Sequence, residues 1–143
     1  MSQIVLTSIY NKLISATGAG SVYATVGGRI YQIEAPQAAA LPCLVYAITD
    51  NEVTTFFGTT AKSRQDLIVQ FSFFFALSAA SAVATAMNVE ATLFDLLNRQ
   101  TITPSDASYT SMEMFALNRG VPDIGEDFIT VETSYRFIAI KDT

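Results

Sequence analysis

The most informative stretch of this chain is residues 69–77, which have the sequence VQFSFFFAL. Side chains alternate between the two faces of a β-strand, so apolar residues at every second position predict a strand with one buried face. Phe74 is apolar on the face where Gln70 and Ser72 point, which fits either a core position or a shared interface. The buried face would be formed by Val69, Phe71, Phe73, Phe75 and Leu77.

A long amphipathic helix is predicted directly after this strand, over residues 78–99. Polar residues recur there every three or four positions, a spacing that places them on one face of an α-helix. Residues 67–89 carry no charge and are long enough for a membrane span. The change of period within them favours a strand followed by a helix. The apolar face of the predicted helix would consist of Ala80, Val83, Ala84, Met87, Ala91, Phe94 and Leu97.

The rest of the chain adds a second helix and further strands. An apolar stripe over residues 3–16, preceded by Ser2 as a cap, predicts the helix. Asp50-Asn51-Glu52 is typical of a turn. Residues 54–60 would form a segment that leaves the sheet before the Phe-rich strand at 69–77. Short apolar or alternating runs predict strands at 29–32, 44–48, 109–117 and 128–140.

Together these elements predict an α+β fold. We expect a single antiparallel or mixed sheet of four to five strands, with the helices at 3–16 and 78–99 packed on one face. The chain has 143 residues, half of them apolar, which suits one domain spanning 1–143.

Composition excludes several classes of function. The chain has no histidine and a single cysteine, Cys43, so Cys/His zinc sites, His-based catalytic triads and an internal disulfide are ruled out. The net charge is −5 and the eight Lys and Arg residues are scattered, so specific DNA binding is not expected. The first residues lack the pattern of a signal peptide, which predicts a protein that stays in the cytoplasm.

No residue pattern in the chain points to catalysis or to a cofactor. Asp123, Glu126 and Asp127 around Gly125 could bind a divalent cation, but they lack the alternating spacing of a calcium loop. A solvated turn is the favoured interpretation. We therefore predict no enzymatic activity, no metal and no cofactor.

The stretch 51–63 is the main candidate for a contact with another protein. Phe56 and Phe57 stand there among threonines, beside Gly58, and the predicted strands already fill the sheet face without them. The stretch either folds back on its own sheet as a hairpin or forms an arm to a neighbour. The candidate contact residues are Phe56, Phe57, Thr59 and Phe74.

Three short runs follow the first predicted helix: VGGRIY at 26–31, APQ at 35–37 and LPCLVY at 41–46. Together they resemble the signature of the tail terminator proteins of long-tailed bacteriophages, also called tail completion or tail-to-head joining proteins. The order of helices and strands in that family matches this chain along nearly its whole length. Cys43 stands where the family often has an aromatic residue.

The resemblance implies a structural virion protein that forms a ring, usually a hexamer, on the last ring of the tail tube. Such a ring stops tube polymerisation and joins the tail to the head connector, so the expected location is the neck, after assembly in the host cytoplasm. Genome DNA would pass through the ring without specific binding, which suits an acidic chain because like charges repel.

The resemblance also implies the partners. They would be further copies of the chain, the tail tube protein, and a head connector or stopper protein, with no membrane involved. Phe56, Phe57, Thr59 and Phe74 then become candidates for the subunit or tube interface. A connector or stopper ring is the alternative within the same machinery. A small cytoplasmic enzyme or ligand-binding domain is the alternative outside it.

Overall fold

The computed structural model describes residues 2–36, 40–55, 62–77, 82–126 and 128–142. Helices and strands follow one another there in a simple order. They are α1 (Ser2–Ile14), α2 (Val22–Thr25), β1 (Ile30–Gln32), β2 (Cys43–Thr55), β3 (Lys62–Ala76), α3 (Ala82–Leu97), β4 (Gln100–Thr101), β5 (Tyr109–Asn118), β6 (Asp123–Ile124) and β7 (Phe128–Asp142).

The described strands form one mixed sheet in the order β1-β2-β3-β7-β5-β4. Strand β1 is parallel to β2, and the other pairs are antiparallel. Strands β3 and β7 contain 15 residues each and pair along their whole length at the centre. Strand β6 pairs with the beginning of β7, on the same edge that β5 occupies further along.

The expectation of an α+β fold with four to five strands is wrong. The described residues form seven strands in one sheet, and the fold is mostly β. Strands β4 and β6 have two residues each, too few for an alternating pattern to show in the sequence. Asp50-Asn51-Glu52, expected as a turn, lies within β2 and pairs with β3. Polar residues can occupy such a strand because β propensity depends on the surroundings.

The helices also differ from the expectation in their bounds. Helix α1 ends at Ile14, and α2 is a single turn that the sequence did not suggest. Residues 78–81, expected in the long helix, lie outside the described residues. Helix α3 ends before Arg99, which adopts a left-handed φ of 57° and whose amide donates to the Met114 carbonyl at 2.8 Å. None of the helices described is long and apolar enough to cross a membrane.

The hydrophobic core lies between the helices and one face of the sheet. Odd-numbered residues of β3 from Leu67 to Phe75 are buried on that face. Phe71 stacks on Tyr46, with ring centroids 5.6 Å apart, and meets the edge of Tyr135 at 5.5 Å. The buried Tyr46 hydroxyl donates to the Leu6 carbonyl at 2.7 Å, which ties β2 to α1. The alternation in 69–77 therefore identified the buried rings of β3 correctly. Leu77, also expected on the buried face, follows the end of β3 and is 39% exposed.

Helix α3 packs with a face that only partly matches the expected one, since Leu97 is buried as expected. Val83, Ala84, Met87 and Ala91, expected in the core, are exposed. The helix carries apolar residues on two faces, so the spacing of polar residues alone did not reveal which face packs against the sheet. The buried residues are Ala82, Ala86, Val89, Glu90, Leu93 and Leu97.

We expect the slowest amide hydrogen exchange in the central parts of β3 and β7. Both strands are hydrogen-bonded on two sides, so their amides should open only with the whole sheet. Exchange measured by NMR or mass spectrometry should rank Leu67–Phe75 and Val131–Ala139 as slowest. Equal or slower exchange in β5 would contradict this order of stability.

Candidate functional site

The candidate contact residues from the sequence fall into two groups. Phe56, Phe57 and Thr59 lie outside the described residues. Phe74 is half-buried on the face of the sheet opposite the described helices. Its ring meets the ring of Phe128 edge to face, with centroids 5.4 Å apart and an interplanar angle of 83°. Phe74 thus packs within the subunit, and solvent reaches Phe128, which is 40% exposed.

The acidic residues considered for a cation surround the turn between β6 and β7. Asp123 pairs with Thr130 in the sheet, and Glu126 is exposed. The Gly125 amide donates to the Phe128 carbonyl at 3.0 Å and closes the turn, whereas Asp127 lies outside the described residues. In the part of the chain that the structure describes, no three His, Cys, Asp or Glu residues are grouped to hold a metal ion.

Cys43 is a packing residue at the start of β2. It is buried, and this burial raises the pKa of its thiol, although the nearby Arg29 guanidinium acts in the opposite direction. A thiol that stays protonated is a poor nucleophile. Cys43 therefore has the surroundings of a core residue rather than of a catalytic one.

The open face of the sheet carries a network of charges toward the end at which β3 begins. Arg64 binds both carboxylate oxygens of Asp66 at 3.0 Å, and Arg136 binds one of them at 3.0 Å. The hydrogen bonds from Arg64, followed by those from Arg136, outweigh the effect of burial and lower the pKa of Asp66. Leu117 borders the same region and is 53% exposed.

An ion pair with a buried carboxylate joins α3 to the segment that follows β5. Glu90 points inward from α3, and both of its carboxylate oxygens accept hydrogen bonds from Arg119 at 2.8 Å. The Arg119 guanidinium also lies 4.0 Å from the centre of the Phe94 ring. Because unpaired carboxylates are costly to bury, the pairing with Arg119 offsets the cost of the inward position of Glu90.

The same segment is fixed against β7 by two further contacts. The Thr133 hydroxyl donates to the Asn118 carbonyl at 2.6 Å. A Cβ atom at Gly120 would overlap the Glu132 carbonyl, so the close approach of the two backbones requires glycine there. The backbone is therefore held in place where it leads to Val121 and Ile124, whose side chains are 79% and 64% exposed.

Exposed apolar side chains concentrate at one end of the sheet, where β2 and β7 begin and β3 ends. The register places these ends together, because Cys43 pairs with Phe74 and Ala76 pairs with Phe128. Helix α3 also begins there. We call this surface the apolar end. Its exposed apolar residues are Leu41, Leu77, Ile124 and Phe128, and the exposed acids Asp123 and Glu126 lie beside Ile124.

A strained turn stands at the outer edge of the sheet, directly after β1. Ile33 has a φ of 72°, and the Glu34 amide donates to the Gln32 carbonyl at 2.8 Å, which makes a γ-turn. A β-branched residue in this region is strained by about 1–3 kcal/mol. The Ile33 side chain is nevertheless 67% exposed.

An open groove of about 620 Å³ lies beside this turn. Tyr10 and Tyr31 contribute to its lining, together with Pro36. Tyrosine combines an apolar ring with a polar tip, a chemistry that is common at protein interfaces. We call Ile33 and this groove the Ile33 flank. The sequence did not predict the Ile33 flank, because isoleucine rarely adopts a positive φ.

The fold of this chain is similar to that of solved structures. One is a chain in the virion of a native gene transfer agent particle, with a TM-score of 0.63, 16% identity, and an alignment that covers 99% of this chain and 96% of that one. A second structure, whose name states no function, has a TM-score of 0.65 and 15% identity, with coverage of 97% and 96%. A scan against protein-family models finds no match, and a search of curated proteins finds none either.

We predict that Arg119→Met lowers the free energy of unfolding by about 1–3 kcal/mol, because Glu90 loses both hydrogen bonds while it stays buried. The half-exposed position of Arg119 keeps the effect below the full cost of breaking a buried ion pair. Urea denaturation followed by circular dichroism measures the change.

Arg136→Met is the matched control. Arg136 has the same 47% exposure as Arg119, but its partner Asp66 keeps Arg64. Its loss should cost less than about 1 kcal/mol. Equal effects of the two substitutions would show that the Glu90 pair has no special role.

Proposed function

We propose that this chain is a structural protein of a phage-like virion and has no enzymatic activity. The observation that carries this proposal is its likeness in fold, over nearly the whole of both chains, to a chain of the gene transfer agent virion. A function in assembly also suits the surface of the subunit, where apolar side chains are exposed in groups and the grooves are open.

More specifically, we propose a tail terminator. Residues 1–143 would act as one domain that forms a ring, a hexamer in its final state, on the head-proximal end of the tail tube. The runs at 26–31 and 41–46 support this choice through their resemblance to the terminator family. The ring would stop tube growth and join the connector or stopper protein at the neck, and DNA would pass through it without specific binding.

The test is assembly with and without tail tubes. Light scattering over a concentration series should find hexamers, or a monomer that becomes a ring when tubes are added. Negative-stain electron microscopy should show rings on one end of the tubes, and tubes with the protein should stop growing while untreated tubes lengthen. A stable two-fold dimer that leaves tube growth unchanged would contradict the proposal. Binding only to tubes already capped would indicate a stopper ring instead.

We further propose that Phe56 and Phe57, with Thr59, form a contact arm to a neighbouring subunit or the tube. The variant Phe56→Ala with Phe57→Ala should keep the melting temperature of the wild type and lose ring formation or tube capping. Burial of one phenyl ring at a partner contributes about 1.5–3 kcal/mol, or roughly tenfold or more in affinity.

Phe74→Ala provides a contrast for that experiment. Phe74 packs against Phe128 within the subunit, so its loss should lower the melting temperature. A double Phe56 and Phe57 variant that unfolds, or one that still forms rings and caps tubes, would reject the arm.

A further inference from the structure

We propose that the open face of the sheet lines the opening of the ring, where its carboxylates repel the phosphates of duplex DNA as the genome passes. This face lies opposite the described helices and carries the even-numbered residues of β3 from Arg64 to Phe74. The inference rests on the proposed ring and deepens it, because it names the surface that DNA meets.

The carboxylates of the open face belong to one continuous surface. Residues that lie opposite each other in an antiparallel ladder point to the same side, with Cβ atoms about 4.5–5.5 Å apart. The register places Glu52 beside Asp66 and Asp66 beside Ile138. Glu113 follows beside Ile138, so one row of side chains crosses β2, β3, β7 and β5. Asp50 stands in the next row and lines a groove of about 280 Å³ together with Glu52 and Asp66.

The charge of the open face is mostly negative. Both of its described arginines, Arg64 and Arg136, bind the same carboxylate, that of Asp66. The remaining acids of the face are exposed and form no ion pair with any described residue. They are Asp50, Glu52, Glu113 and Glu132.

The helical side of the subunit has a different balance of charge. Lys12 lies on α1, Arg99 follows α3, and the Arg119 guanidinium packs against α3. The acids described on these helices are Glu90, which is paired with Arg119, and Asp95. Contacts from Lys and Arg to phosphates are what retain proteins on DNA. The open face is therefore the side along which DNA slides without being held.

The open face also lacks the composition of a contact between subunits. The centres of protein interfaces are depleted of charged residues, whereas a charged row crosses this face. Gln70, Ser72 and Ser134 occupy the rows beyond it, and Ile68 and Ile138 between the charges are half-buried. A polar face of an antiparallel sheet is normally in contact with water. In a closed ring such a face borders either the opening or the outside, and the charge balance favours the opening.

The first experiment locates the open face within the ring. Glu113→Cys is labelled with a maleimide gold cluster after ring formation, and Asp95→Cys, at an exposed position of α3, is the matched control. The natural Cys43 is buried, so the unsubstituted chain serves as the blank. Electron microscopy along the ring axis should show the gold of Glu113→Cys at the centre and that of Asp95→Cys farther out. Gold at the outer rim for Glu113→Cys, or a cysteine that ring formation hides, would overturn the inference.

The second experiment reverses the charge of the open face. A chain with Asp50→Lys, Glu52→Lys and Glu113→Lys should keep the wild-type melting temperature and still form rings that cap tubes. These rings should bind linear duplex DNA at least about tenfold more tightly than wild-type rings, and the affinity should fall steeply as salt rises, because the new lysines release counterions. Streptavidin on both biotinylated ends of the DNA should abolish this gain for preformed rings, since DNA enters the opening only by threading.

The control carries the same change of charge on other surfaces. Glu34→Lys, Asp95→Lys and Glu126→Lys replace acids that are exposed and lie off the open face. Any DNA that this control binds should be bound equally with free and with blocked ends.

The outcomes separate this inference from the proposed function. If the open-face variant binds free and blocked DNA equally, gains no affinity for DNA, or loses its rings, the inference is wrong and the wild-type ring stands. A wild-type chain that neither forms rings nor caps tubes would overturn the proposed function, and the inference with it.

Discussion

Strands β3 and β7 pair without a break from Lys62 with Asp142 to Ala76 with Phe128. A shift of one residue in this register would turn every buried side chain of one strand toward the opposite face. The register therefore determines which side of the sheet receives the helices, and it brings the start of β2, the end of β3 and the start of β7 together. The apolar end exists because these two strands are equally long and fully paired.

The sequence predicted best those parts in which a local pattern is repeated. Alternation in β3 identified Phe71 and Phe73 as buried, because a strand covered on one face repeats every two residues. Asp50 and Glu52 misled the prediction, since acidic residues favour turns locally while the pairing of β2 with β3 extends the strand through them. Pairing between distant segments leaves no trace in a short run of residues.

The candidate surfaces were harder to predict for a related reason. The apolar end takes single residues from segments that are far apart in the chain, such as Leu41, Leu77 and Phe128, so no motif marks it. One signal was present: Val83, Met87 and Ala91 recur at helical spacing, and the prediction assigned them to the core. In the structure these residues are exposed, and Glu90, whose carboxylate accepts two hydrogen bonds from Arg119, is buried instead.

The polar run in β2 has a consequence for the free protein. Strand β1 pairs with β2 at Leu44, Val45 and Tyr46, and beyond these the described residues place no strand on the outer edge of β2. Exposed edges of this kind can template the stacking of chains into aggregates. Here the register shifts between Ile48 and Asp50, and the exposed acids Asp50 and Glu52 follow. An irregular, negatively charged edge of this kind disfavours pairing with the same edge of another copy.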